Sequence, residues 1–120
     1  MLGLRTAIYK VNQLAEAKTW YSKAFQKEPY FDEPFYVGFE IGGYELGLMP
    51  DSQKAEEKSA NVHVLWGVED IHKEFERLIA LGATVWEEPE NVGGELMVAT
   101  LKDPWGNLLG LIYNPYFKTT

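Results

Sequence analysis

The chain has no cysteine, which excludes disulfides, thiolate chemistry and cysteine-held metal sites; any metal would need histidine or oxygen ligands. It has no apolar run near the roughly 18 residues of a membrane-spanning helix. Its start, MLGLRTAIYK, shows neither the basic flank nor the cleavage site of a secretion signal. A cytoplasmic protein with no membrane partner is expected. Basic residues are scarce: 11 Lys and Arg against 18 Asp and Glu leave a net charge of −7. That balance repels phosphate backbones, so nucleic acid is not an expected partner. No G-x-x-x-x-G-K-[ST] phosphate loop, G-x-S-x-G nucleophile elbow or H-E-x-x-H pair occurs.

What is present suits one domain: 120 residues, 46% of them apolar. Four Trp, seven Tyr and six Phe exceed the needs of a small core, and some are available to line a pocket or a subunit interface. From Leu4 to Val11 the residues suit a strand. Apolar positions 14, 17, 21, 24 and 25 then trace one face of a helix, with Asn12 as its expected cap and Pro29 closing it. PFYVGFEI and YELGLMP are strand-like runs around Gly42-Gly43, a tight hairpin signal. DSQKAEEKSA, residues 51–60, reads as an exposed polar linker.

After the linker the order returns. NVHVLWGV reads as a strand, positions 71, 75, 78 and 79 mark a helix ending at Leu81-Gly82, and ATVWEEP, ELMVATL and LLGLIYN follow as strands. Strand, helix, then a run of strands is the order of both halves. Residues repeat too: Val11-x-x-Leu14 recurs 57 residues on as Val68-x-x-Ile71, and GGYELGLM, 42–49, recurs 63 residues on as WGNLLGLI, 105–112. Small differences of offset are absorbed in hairpin loops. The best reading is a duplicated βαβββ unit, with modules at about 1–50 and 61–115. Gly47 and Gly110 are then counterparts, each inside a strand where glycine sacrifices packing unless something comes close.

Three segments, VNQLAEAKTWYSKAF (11–25), VHVLWGVEDIHKEFERLIALGATV (62–85) and LKDPWGNLLGLIY (101–113), resemble the vicinal oxygen chelate superfamily: glyoxalase I, extradiol dioxygenases, fosfomycin-resistance enzymes and bleomycin-binding proteins. Asp-Pro-x-Gly-Asn before the final strand is the most specific of these features. The resemblance implies an α+β fold in which two βαβββ modules form a curved eight-stranded mixed sheet around a shared cavity. It also implies a homodimer. Metal-using relatives carry one ligand in the first and one in the last strand of each module. Those positions fall here on Thr6, Gly47, His63 and Gly110, one good ligand of four, whereas a catalytic ion commonly takes at least three protein ligands.

The expected function is therefore binding of a small organic ligand without a metal cofactor, similar to the bleomycin-binding branch. The alternative is a divalent-metal-dependent lyase, isomerase or dioxygenase using His63 and unconventional partners. A third reading is an interaction module with a filled cavity. Candidate ligand contacts are His63, Trp105, Tyr36, Phe39, Glu45 and Met49. His63 would alternate toward the cavity with Leu65, leaving Val62, Val64, Trp66 and later Tyr113 on the helix side. Glu45 shares a sheet face with Gly47 and Met49, although a carboxylate near a strand start is more often simply solvated. Trp105 sits in a turn and would be exposed unless it covers a pocket mouth or a neighbour. His72 reads as a surface residue, and Glu87, Glu88 and Glu90 around Pro89 read as a solvated acidic turn.

Overall fold

The structure is a computed structural model that describes residues 1–59 and 62–116. The chain divides into two compact units, Met1–Glu57 and Lys58–Thr120, and the division falls inside the polar segment 51–60.

The first unit runs β1 (Thr6–Val11), α1 (Leu14–Phe25), β2 (Phe31–Glu33), β3 (Tyr36–Ile41) and β4 (Tyr44–Pro50), followed by a single 3₁₀ turn, Ala55–Glu57. Its mixed sheet has the order β1-β4-β3-β2, with β1 parallel to β4 and the other pairs antiparallel. Period-2 alternation sorts the side chains. Tyr9, Val11, Val37, Phe39, Leu46 and Leu48 are buried, as are Ala17, Tyr21 and Ala24 of α1. The alanines let the helix lie close, and Tyr21 stacks on Tyr9 with centroids 5.7 Å apart. Gly42 and Gly43 take positive φ of 58° and 91°, the two-residue turn expected of that pair.

Two local expectations change. The N-cap of α1 is Gln13, with no side-chain cap, rather than Asn12. β2 lies in FDE, which carries no apolar run; it is an edge strand held by its antiparallel pairing with β3.

The second unit runs β5 (Leu65–Gly67), α2 (Ile71–Ala80), β6 (Thr84–Gly93), β7 (Leu96–Lys102) and β8 (Leu108–Tyr113), with sheet order β5-β8-β7-β6 and β5 parallel to β8. It is the same βαβββ unit. Asp70 caps α2 by accepting from the Lys73 amide at 3.1 Å, and Gly82, φ 110°, ends it. Ile71, Phe75 and Leu78 of α2 are buried, together with Ala99, Leu101, Leu109 and Leu111 of the sheet.

β5 is shorter than the expected strand, whose first residue, Asn61, lies outside the described residues. β6 is longer. Glu87, Glu88 and Glu90 belong to this ten-residue strand and not to a turn. Pro89 is tolerated because β6 is an edge strand whose register with β7 shifts between Glu87 and Glu90.

Candidate functional site

In the first unit the sheet face away from the buried residues holds a polar cluster. Thr6 on β1 is opposite Glu45 on β4, and Glu45 is opposite Glu40 on β3. The next row of that face is Ile8, Gly47, Gly38 and Phe31 across all four strands. Two glycines side by side leave a notch in the side-chain layer, and two phenol rings enter it. A Cβ on Gly47 would stand 2.6 Å from Tyr36 Cζ, and one on Gly38 would stand 3.1 Å from Tyr30 Cε1.

Both phenols end on the Glu45 carboxylate. Tyr36 Oη donates to Oε1 at 2.8 Å, Thr6 Oγ1 donates to the same oxygen at 3.2 Å, and Tyr30 Oη donates to Oε2. The Tyr30 bond, with those from Tyr36 and Thr6, holds the Glu45 carboxyl below the ordinary carboxylate range against the opposing effect of partial burial. The tyrosines move the other way. Burial first, then the bond to Glu45, raises Tyr36, and Tyr30 is raised chiefly by its bond to Glu45. At neutral pH the cluster is one carboxylate faced by protonated phenols.

An open depression of about 500 Å³ adjoins the carboxylate, lined by Arg5, Thr6, Tyr30, Glu40, Gly43, Tyr44 and Glu45. Arg5 turns its guanidinium back onto the carbonyl oxygens of Leu2, Gly3 and Leu4, at 2.9, 3.4 and 3.3 Å. Glu40 accepts from the Gly43 amide at 2.6 Å and from Lys27 at 3.4 Å.

Of the residues singled out in the sequence, Tyr36, Glu45 and Thr6 meet at this cluster. Met49 follows on the same strand face and is half-buried. Phe39 does not join them: it is 0% exposed, paired with Leu46 in the core of the first unit, because odd positions of β3 face inward. His63 is exposed and precedes β5. Trp105, which would be exposed without cover, is 6% exposed. Asp103 gathers that turn, accepting from the backbone amides of Trp105 at 2.9 Å and Asn107 at 2.8 Å and from Asn107 Nδ2 at 3.1 Å. The Asp-Pro-x-Gly-Asn motif thus folds the ring inward. Sequence reasoning missed Tyr30 and Gly38; the signal for Gly38 was a second glycine inside a strand, while Tyr30 sits among loop residues with no pattern.

The profile of the Glyoxalase/Bleomycin resistance protein/Dioxygenase superfamily matches residues 4–111. The chain belongs to that superfamily. Solved structures agree in fold. A glyoxalase-related enzyme from Fulvimarina pelagi is 14% identical with a TM-score of 0.80, covering 100% of this chain and 94% of that one. The fosfomycin resistance protein of Listeria monocytogenes, complexed with Mn(II) and sulfate, is 20% identical with a TM-score of 0.79 over 97% and 93%. A lactoylglutathione lyase from Agrobacterium tumefaciens is 18% identical with a TM-score of 0.73 over 94% of each chain. No curated protein sequence matches the chain.

For this superfamily member, the metal positions named above can be tested on their residues. Tyr36 occupies the side-chain space of Gly47; at Gly110, Leu65 Cδ2 and the Val64 carbonyl oxygen, 2.6 Å from a built Cβ, occupy it. The Thr6 hydroxyl is engaged with Glu45. That leaves one imidazole among four positions, and no group of three or more His, Asp or Glu side chains among the described residues is arranged to hold an ion. This donor set does not fit a divalent metal.

Proposed function

We propose that this superfamily member binds a small organic ligand on the Glu45 face of its first module, without a metal ion. One observation carries the reading: the polar cluster occurs in one module only. At the same offsets that relate the repeats, Glu45 corresponds to Leu108, Gly47 to Gly110 and Ile8 to Leu65. The registers Gly38 with Gly47 and Thr100 with Gly110 make Val98 the counterpart of Tyr36. The second module thus builds the same strands with leucine and valine where the first has a carboxylate and a phenol. The fold does not require the polar set, and polar groups placed beside an open depression are the usual means of orienting a ligand.

Two measurements test this. After purification without chelator, metal content and titrations with Ni²⁺, Zn²⁺, Mn²⁺ and Fe²⁺ should give no stoichiometric binding. Stoichiometric metal that is lost in His63→Ala would overturn the metal-free part. Fragment screening by amide chemical shifts should place hits at Gly38, Gly47 and Glu45; hits elsewhere only would overturn the location.

A further inference from the structure

The Glu45 carboxylate is an incompletely used acceptor. A carboxylate offers about four lone-pair sites, and the protein fills three, two on Oε1 and one on Oε2. A further donor therefore has a place at Oε2, and Glu45 lines the depression. Phenols suit this arrangement because they hold the carboxylate ionised without bringing a positive charge to it. The one basic residue of the lining, Arg5, turns its Nη1 onto its own backbone carbonyls.

The surroundings are aromatic. Tyr30 is 64% exposed and Phe35 63% exposed, while Phe31 lies 6.0 Å from Phe35 and 6.1 Å from Tyr36 between ring centroids. Tyr44 adds a ring to the lining of the depression. Ring faces attract cations within about 6 Å of the centroid, and an unpaired carboxylate attracts them further. An anion would meet both Glu40 and Glu45. A neutral planar molecule would gain the rings and leave the free acceptor site unused.

We infer that the ligand of this face is an organic cation, a protonated amine joined to a planar or aromatic group, with the ammonium on Glu45 Oε2 and the apolar part against Tyr30 and Tyr44. This rests on the reading of the Glu45 face as the binding surface and adds the class of molecule.

The test uses three probes of similar size, benzylamine, benzyl alcohol and benzoate, titrated at pH 7 against the full chain and followed by amide shifts of Gly38, Gly47 and Glu45. Benzylamine should bind at least roughly tenfold more tightly than either other probe, and Glu45→Gln should abolish that preference. Glu76→Gln removes an exposed carboxylate from α2 of the other unit, so it should hold benzylamine within a few-fold of the natural chain. Equal binding of benzyl alcohol or benzoate at these residues overturns the cation class and leaves the binding face standing. Shifts at none of them with any probe overturn both. A loss in Glu76→Gln as complete as in Glu45→Gln shows that the carboxylate of this face is not the determinant and also overturns the inference.

Discussion

Gly47→Ala is the sharpest test of why this strand carries a glycine. Gly47 has no positive φ, so alanine meets no backbone strain. Without a clash the change would stabilise the fold by about 0.4–1 kcal/mol through the unfolded chain. The new Cβ, however, would stand 2.6 Å from Tyr36 Cζ and 2.9 Å from Cε1, where carbons prefer about 3.5–4.0 Å. The ring must retreat by roughly 1 Å, which takes the 2.8 Å bond to Glu45 past hydrogen-bonding range. A bond to a charged group contributes about 1.5–3 kcal/mol, at the low end for this half-exposed pair, and residual overpacking costs about 1 kcal/mol more. The net is a loss of about 2 kcal/mol, or roughly 6–10 °C in Tm for a domain of this size. Calorimetry of the four proteins of a double-mutant cycle with Tyr36→Ala measures it: in the Tyr36→Ala background Gly47→Ala should be neutral or stabilising, giving a coupling of about 2 kcal/mol. A raised Tm in the natural background, or an equal loss in both, would refute the account.

Gly110→Ala should cost more than Gly47→Ala, about 3 kcal/mol or above, because one obstacle is the Val64 carbonyl oxygen, which also accepts the Gly110 amide at 2.9 Å; urea midpoints that rank the two variants the other way would refute it. The pH profile of stability should fall on both sides of neutrality. Glu45 is lowered on folding, so its contribution is present above the ordinary carboxylate range and is lost as pH drops through its lowered value. The tyrosines are raised, so theirs is present below about pH 10 and is lost as pH climbs through their raised values. Glu45→Gln should flatten the acid limb and weaken the alkaline one, and parallel profiles for the two proteins would contradict the linkage.

The repeat was legible because it is written twice. Helix periodicity at Ala17, Tyr21 and Ala24 and again at Ile71, Phe75 and Leu78, the Gly42-Gly43 turn and the Asp103 turn are local signals, and each sits where the chain folds as they dictate. β2 and the continuation of β6 past Pro89 were not legible, because edge strands are defined by their partners and their own residues need bury nothing. The burial of Trp105 was left open for a related reason. A turn motif gives the backbone path, but whether a ring beside it faces out or in is decided by packing from distant strands.

The site was half legible, and the missing half is informative. Alternation alone set Glu45, Gly47 and Met49 on one face. What alternation could not give is that a glycine can mark an occupied space: the side chain missing from Gly47 is replaced by Tyr36 from the neighbouring strand, and that missing from Gly110 by Leu65. The same vacancy in two related strands is filled by a polar ring in one and an aliphatic chain in the other. If glycine at these positions served only to close the sheet face, both would be expected to recruit aliphatic filler, which buries well and needs no partner. The phenol requires an acceptor, the acceptor is a carboxylate, and three donors from β1, β3 and the segment before β2 converge on it. Four residues from separate elements thus depend on one another in a module whose twin does without them, and the proposed binding face rests on that dependence.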